Sequence, residues 1–311
     1  MPSTVLITGG AGFIGSRVVP LLLERGDRVR ILDNLSRGDR ARVAEWAATG
    51  QVELVEQDIR YGGAVHQAMA GCDAVVHLAA VSINKSEADP FESVDINIVG
   101  SNNVFKAAAD HGVRRVVFAS SASVYGDPET LPMREDGPVD PLTPYCIAKH
   151  TGEQLLGYYA RRSSLSWIAL RFFNVYGPGQ KTSAYYTSVI NHFVNRLRAG
   201  EPPVIDGQGE QSMDFVHVHD IARAVLMSLD VDASRANLPV NIGTGVDTSV
   251  AELARTLIAA VGLDVEPQFR ARDVLVSRRA ADISRALDVL GWKPTIDVVT
   301  GMQDLVDNDV A

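Results

Sequence analysis

Tyr145 and Lys149 stand four residues apart in Tyr145-Cys146-Ile147-Ala148-Lys149. The stretch begins at Pro144, runs through Leu155 and Leu156 to Arg162, and is predicted to be helical. The i,i+4 spacing puts the phenol and the amine on one helix face. A free phenol ionises near 10, so a tyrosine base at neutral pH must be displaced downward by about three pH units, or ~4 kcal/mol. A neighbouring positive charge favours the phenolate. Upstream, Val116-Val117-Phe118-Ala119 reads as a buried strand that opens into Ser120-Ser121-Ala122-Ser123. Ser121 sits where a hydroxyl can share a proton with Tyr145 and a substrate. Together the three groups suit removal of a hydroxyl proton. Each also has a plainer reading: a surface Tyr–Lys pair, and an ordinary serine-rich turn.

Such groups need a scaffold, and the N-terminus supplies it. Val5-Leu6-Ile7-Thr8 is an apolar run that ends in Gly9-Gly10-Ala11-Gly12-Phe13-Ile14-Gly15, and an amphipathic segment follows. That is strand, tight turn and helix. Gly10, Gly12 and Gly15 fit the dinucleotide-binding G-x-G-x-x-G spacing, and Gly9 adds a second, overlapping one. Glycine lets the backbone approach a pyrophosphate, and the helix N-terminus offers it free N–H groups. Val29–Leu32 reads as the second strand and ends in Asp33-Asn34, 18 residues past Gly15. That is close to where a ribose-binding carboxylate is expected. A carboxylate there favours NAD over NADP, because it repels a 2′-phosphate; Arg37 nearby reads as a solvated loop charge. With NAD bound, Lys149 can hydrogen-bond the nicotinamide ribose, and the ring's charge adds to that of the ammonium beside Tyr145.

Further apolar runs at Val52–Val55, Ala74–Leu78, Val116–Phe118 and Trp167–Leu170 alternate with helical stretches. Short, nearly continuous apolar strands between helices predict an α/β fold with a doubly wound parallel sheet, Rossmann-type, covered on both faces. Residues 1–174 form the expected NAD-binding domain. Residues 175–311, punctuated by Gly177-Pro178-Gly179 and Gly207-Gln208-Gly209, form a smaller substrate-binding region partly interleaved with it. Asp58-Ile59 and Leu78-Ala79-Ala80 follow strands at their carboxyl ends, where open α/β sheets bind ligands. Asp58 is expected to accept from an adenine amino group, and the small residues 79 and 80 to let the backbone close on the cofactor. The alternative for each is a helix cap or turn residue. One long helix is predicted from near Pro90 to His111, containing Asn97 and Gly100.

The chain has 311 residues, 46% hydrophobic and 22% charged, with a formal net charge of -9 and no basic block. That composition speaks against a nucleic-acid partner. No signal-peptide pattern is seen at the N-terminus. No apolar run approaches the ~20 residues that span a bilayer. Cys72 and Cys146 have no metal or redox spacing and fit a reducing cytoplasm. His217-x-His219 is expected on a strand, with both imidazoles on one face. A metal site would need further ligands, so a structural role is expected and no metal. Cys146 reads as a small buried filler.

Thr8–Ser16, Asp33-Asn34, Asp58-Ile59, Leu78–Ala80, Asn97, Ser120–Gly126 and Tyr145–Lys149 together carry a resemblance, continued by Arg171–Pro178, Asp214–Asp220 and Ala281–Ile283. Over nearly its whole length the chain resembles the extended short-chain dehydrogenase/reductases of the NAD-dependent nucleotide-sugar epimerase/dehydratase family. The resemblance implies that Asn97 supports the cofactor site, that Phe173 lines it and that Asn174 holds the substrate's diphosphate. It implies a homodimer built from the two long helices. It also implies hydride removal from a sugar carbon, usually C4, to NAD while Tyr145 takes the hydroxyl proton. Dehydratases of the family carry an Asp-Glu pair where this chain has Ala122-Ser123, and decarboxylases usually a Glu. The expected activity is therefore 4-epimerisation of a nucleotide sugar, with a UDP-sugar favoured. A dehydratase, decarboxylase or reductase on the same scaffold, or a non-catalytic NAD(P)-binding protein, are the alternatives. Met213 stands where relatives often place a diphosphate-gripping Arg. Arg270, Arg272, Arg278 and Arg279 are the candidate substitutes, with Arg278 and Arg279 nearest the matching Ala281-Asp282; the other reading of each is a surface charge. An epimerase keeps its cofactor between half-reactions, so denaturing the purified protein should release stoichiometric NAD, measurable by chromatography of the supernatant.

Overall fold

The computed structural model describes residues 3–180, 187–272 and 277–308. The first six strands are β1 (Thr4–Thr8), β2 (Arg28–Asp33), β3 (Val52–Glu56), β4 (Ala74–His77), β5 (Arg115–Ser121) and β6 (Ser166–Phe172). The short strands β7 (Asn174–Tyr176), β8 (Val204–Asp206), β9 (Ser212–Met213) and β10 (Phe215–His217) precede β11 (Leu238–Ile242). The seven strands of the main sheet run parallel in the order β11-β6-β5-β4-β1-β2-β3. The doubly wound architecture expected from the alternation is present. Its strands are apolar on both faces: Val5, Leu6 and Ile7 of β1 are all buried, as are Val75 and Val76 of β4. The winding reverses between β1 and β4, so the crevice that such sheets use for ligands opens above these two strands.

Helices α1 (Gly15–Glu24) and α2 (Arg40–Ala47) lie on one face, together with α9 (Val218–Leu229) from the C-terminal half. The other face carries α3 (Gly62–Met69), α6 (Ser101–Asp110) and α7 (Pro144–Ala160). The short helices α4 (Ile83–Ala88) and α5 (Pro90–Ser93) lead into α6, while α8 (Thr187–Arg198), α10 (Val250–Val261) and α11 (Val298–Asn308) gather around a third core of Phe193, Leu253, Leu257 and Met302. β11, from residues 238–242, pairs with β6 and closes that edge of the main sheet. Among the described residues no helix is long and apolar enough to cross a membrane.

Two sequence expectations need correction. The stretch from Pro90 to His111 is not one regular helix. α5 gives way to a π-helical segment over Val94–Gly100, and α6 resumes at Ser101. A Cβ at Gly100 would lie 2.7 Å from Ile59 Cδ1, and Asn97 within the wide turn is buried facing Val81. A π-turn inserts a residue without breaking the ladder and so re-aims a side chain. Second, His217 and His219 do not share a strand: His217 ends β10 and caps α9, and His219 lies in that helix's first turn.

α7 begins at Thr143, whose hydroxyl accepts from Cys146 N at 3.3 Å, with Pro144 in the first turn. It approaches β5 closely because Gly152 has no side chain: a Cβ there would lie 2.6 Å from Phe118 Cζ. Gly152→Ala should therefore cost ~1–3 kcal/mol through overpacking. Gly157→Ala, whose Cβ would meet only the Arg161 guanidinium at 3.4 Å, should stabilise by up to ~1 kcal/mol on helix propensity. Thermal or urea unfolding of the two variants checks the contrast.

Candidate active site

The glycine turn sits at the carboxyl end of β1. Gly9 has φ of +71° and donates its N–H to Leu32 O at 2.9 Å. A Cβ on Gly9 would lie 2.7 Å from Ala79 N, so the turn and the segment after β4 touch backbone to backbone. Gly15 is constrained differently: a Cβ there would collide with the Gly10 carbonyl. No side chain caps the N-terminus of α1; Ser16 N and Arg17 N bond back to Gly12 O and Ile14 O at 2.9 and 3.0 Å, and the positive end of the helix lies at the crevice. The approach is braced from below. His77 Nδ1 lies 2.6 Å from Thr8 Oγ1 and its Nε2 lies 2.9 Å from Ser101 Oγ. Thr8 Oγ1 also accepts from Ala79 N at 3.3 Å. Burial pushes the His77 imidazole down to about 3, so it is neutral here.

A cavity of about 670 Å³ opens above the turn. Gly9, Gly12, Phe13, Ile14, Gly15, Asp33, Asn34, Asp58, Ile59, Leu78, Ala79, Ala80 and Tyr145 all line it. Of the cofactor residues expected from the sequence, Asn97, Lys149 and Phe173 lie off its surface. Asn97 stands behind the wall, where Oδ1 accepts from Val81 N at 2.9 Å and Nδ2 donates to Val81 O at 3.3 Å. Phe173 is buried, with its N–H bonded to Ile242 O at 3.0 Å.

Asp33 accepts from Ala11 N at 3.0 Å and Leu35 N at 2.8 Å. Burial pushes its carboxyl upward, and these two amides oppose the shift. Asp58 is tied into the wall through its side chain. Oδ1 accepts from Arg60 N at 2.9 Å and Arg60 Nε at 3.0 Å. Oδ2 accepts from Asn34 Nδ2 at 2.8 Å and Arg60 Nη2 at 3.0 Å. Asp58 therefore also holds Asn34 in the cavity wall and pairs with Arg60.

At the other end of the cavity, α7 and β5 bring the acid–base groups together. Ser121 lies close enough to the Tyr145 phenol to pull its ionisation slightly down, and Ser121 Oγ accepts from Ser123 N at 3.2 Å. Ser123 Oγ donates to it at 2.8 Å. Lys149 is buried and donates to Ala119 O at 2.7 Å, with its ammonium 5.4 Å from the centre of the Tyr145 ring. The charges run against the simple expectation of an ammonium lowering a phenol. Burial pushes Tyr145 up to about 12, against a smaller pull from Ser121. Burial likewise takes Lys149 down to about 7, so its own charge is only half held at neutral pH.

Glu153, one turn beyond Lys149, was not anticipated. It accepts from Ser120 Oγ at 2.6 Å and pairs with Arg171 through Nε at 3.0 Å and Nη2 at 2.7 Å. The four-residue spacing of 145, 149 and 153 was its signal. Gly179 and Gln180 also line the cavity, and Arg17 Nη2 ties the preceding Pro178 O to α1 at 3.0 Å.

In the C-terminal half, Asn174 N and Nδ2 both donate to Asp214 O, at 3.1 and 3.0 Å. Met213 in β9 pairs with Thr248. Of the four candidate arginines, Arg270 and Arg272 pair with Asp206 at 2.6 and 2.9 Å, and Arg278 with Asp247 at 2.7 Å. Arg279 alone has no acidic partner among the described residues. A parallel bridge matches Ser212 to Arg278, so Arg279 falls beside Met213 in the register. His217 stacks on His219 with ring centres 5.4 Å apart and lies 3.0 Å from Asp304. No group of three or more metal-capable side chains occurs among the described residues.

Comparison with known proteins matches residues 5–243 to the NAD dependent epimerase/dehydratase family. A UDP-glucose 4-epimerase from Mycolicibacterium smegmatis is 36% identical over 317 residues, covering 97% of each chain. Among solved structures, UDP-glucose 4-epimerase from Thermotoga maritima, crystallised with UDP-glucose, superposes with a TM-score of 0.88 at 33% identity, covering 98% of both chains. A UDP-N-acetylglucosamine 4-epimerase from Methanobrevibacter ruminantium, in complex with UDP-N-acetylmuramic acid, gives 0.90 at 31% identity, covering 98% of this chain and 97% of that one.

The Lys149 shift has a thermodynamic signature. Its value is about 7 in the fold against 10.5 when free. Between these limits the unfolded chain binds more protons than the folded one, so stability rises with pH. Below about 7 the burial penalty is fully present. Lys149→Met removes that dependence. Its melting temperature relative to wild type, measured on NAD-stripped protein, should be highest near pH ~6 and fall towards pH ~10.

Proposed function

The chain belongs to the NAD-dependent epimerase/dehydratase family, and we propose that it is a 4-epimerase acting on a UDP-linked sugar with tightly held NAD. The reading rests on one observation above all. The 3-10 turn that follows Ser121 is Ala122-Ser123-Val124-Tyr125 and contains no carboxylate. Water elimination or decarboxylation needs an additional acid–base group near the sugar. Two buried carboxylates behind this turn are already engaged: Glu153 by Arg171 and Ser120, Glu135 by Asn241 N at 2.9 Å. What remains is oxidation of a sugar hydroxyl, turnover of the keto sugar and return of the hydride to its other face.

In this reading Ser121 orients the hydroxyl and Tyr145 takes its proton. With its ionisation pushed up to about 12, the phenol is almost wholly protonated at neutral pH in the free protein. An oxidised nicotinamide bound here would supply a hydride acceptor and a fixed positive charge that favours the phenolate. Lys149, anchored to Ala119 O, sits where it can hold the nicotinamide ribose. The glycine turn and the α1 N-terminus suit the pyrophosphate, and Asp33 the adenosine ribose. We assign the substrate's diphosphate to Asn174 and to Arg279, whose guanidinium has no acidic partner among the described residues and stands in for the arginine that Met213 replaces; Arg278 is committed to Asp247.

The UDP-sugar is supported by the names of the relatives and by UDP-glucose in the Thermotoga structure. A homodimer through α7 and the Pro90–Asp110 segment is supported by Phe91, which is 89% exposed, together with exposed Val94, Val99, Ile147 and Tyr158. Unpaired Cys72 and Cys146 support a cytoplasmic setting.

The purified protein, without added cofactor, should convert a UDP-sugar to an equilibrium mixture of C4 epimers, followed by NMR of the C4 proton. Tyr145→Phe should lower kcat by ~10²- to 10⁴-fold, the range for loss of a general base. A dehydrated or decarboxylated product would overturn the assignment.

A further inference from the structure

Three successive residues of β5 bind three successive turns of α7. Ala119 O accepts from Lys149, Ser120 Oγ donates to Glu153, and Ser121 meets Tyr145. The helix residues fall at i, i+4 and i+8, on one face. Two of these links involve groups already assigned to the chemistry. The middle one involves a carboxylate that touches neither the cavity nor the reacting groups.

Glu153 is costly where it is. Its side chain and that of Arg171 are each 4% exposed. A buried ion pair is weak evidence for stability, because desolvation offsets most of the attraction. Burial opposes the Glu153 charge, yet hydrogen bonds from Arg171 and Ser120 hold its carboxyl down at about 2. The pair therefore stays ionised at working pH. Arg171 also reaches the far side of the serine turn. Its guanidinium lies 4.8 Å from the centre of the Tyr125 ring, and Tyr125 OH donates to Asn241 Oδ1 at 2.6 Å. Ser121 is thus flanked by two tethered neighbours, Ser120 before it and the Tyr125 turn after it. Both tethers end on the Glu153–Arg171 pair.

We propose that Glu153, acting through Ser120, is a positioning residue that sets the distance between Ser121 and Tyr145. The proposal rests on the reading of Ser121 and Tyr145 as the proton-transfer pair. It requires the strand end to be held to the helix by this hydroxyl–carboxylate bond, not only by packing. A displacement of ~1 Å in such a pair is enough to cost up to about a hundredfold in rate.

Glu153→Gln would leave Arg171 buried and unpaired, and the fold itself could fail. Ser120→Ala is the cleaner test, since it cuts the tether and leaves the ion pair intact; Ser120→Thr restores the hydroxyl. Two readouts are needed on the NAD-loaded protein. One is the alkaline titration of the Tyr145 phenol, taken as the near-ultraviolet difference from the same protein carrying Tyr145→Phe. The other is kcat and KM with a UDP-sugar. Ser120→Ala should raise the phenol's ionisation by about one pH unit as Ser121 moves away from it. It should also lower kcat about tenfold with KM changed less than about twofold. Ser120→Thr should return both to near wild type. A Ser120→Ala protein that melts lower but keeps the wild-type phenol titration overturns the proposal and leaves a merely structural pair. If wild-type protein turns over no UDP-sugar, the 4-epimerase reading fails, and the titration still decides the role of Glu153.

Discussion

The close approach of α7 to β5 is the constraint on which the site depends. Gly152 lets the helix settle onto Phe118. That contact carries Lys149 within 2.7 Å of Ala119 O and brings Tyr145 to Ser121. It also buries an amine and a phenol that water would otherwise stabilise, which is why both are displaced towards their neutral forms. The chemistry and its electrostatic cost thus come from one packing event. A looser contact would relieve the cost and lose the alignment.

The other half of the site follows the same logic with backbone in place of side chains. Gly9 and Ala79 meet at the point where the sheet's winding reverses. Thr8, His77 and Ser101 hold that meeting from beneath with buried, uncharged hydrogen bonds. The cavity is therefore walled by main chain where an anion is expected and by titratable side chains where proton transfer is expected. This division suits a reaction in which the cofactor stays fixed while the sugar turns.

What was legible in the sequence was local. The glycine spacing, Asp33 after the second strand and the Tyr145–Lys149 pair lie within single elements, and their periodicity reports their geometry. The rest depends on partners far apart in the chain. Asp58 shows its ties to Arg60 and Asn34 only in the fold. Glu153 carries no signal in the sequence beyond its four-residue spacing from Lys149, and Arg171 reaches it from β6 only in the fold. The four arginines offered for Met213 are indistinguishable by type; Asp206 and Asp247, each distant in sequence, separate Arg279 from the others. The π-turn at Asn97 was hidden because residue types alone do not report an i→i+5 bond.

The last strand of the main sheet comes from residues 238–242, long after the other six. During synthesis, β6 remains an open edge until residues 238–242 have left the ribosome. Unpaired edges invite pairing with other nascent chains. In this protein β6 is buried along its whole length in the finished sheet, with none of the charges or prolines that blunt natural edges apart from Arg171. A chaperone that shields exposed strands, or slow translation that lets β11 arrive before neighbouring chains do, would have its greatest effect on this one edge.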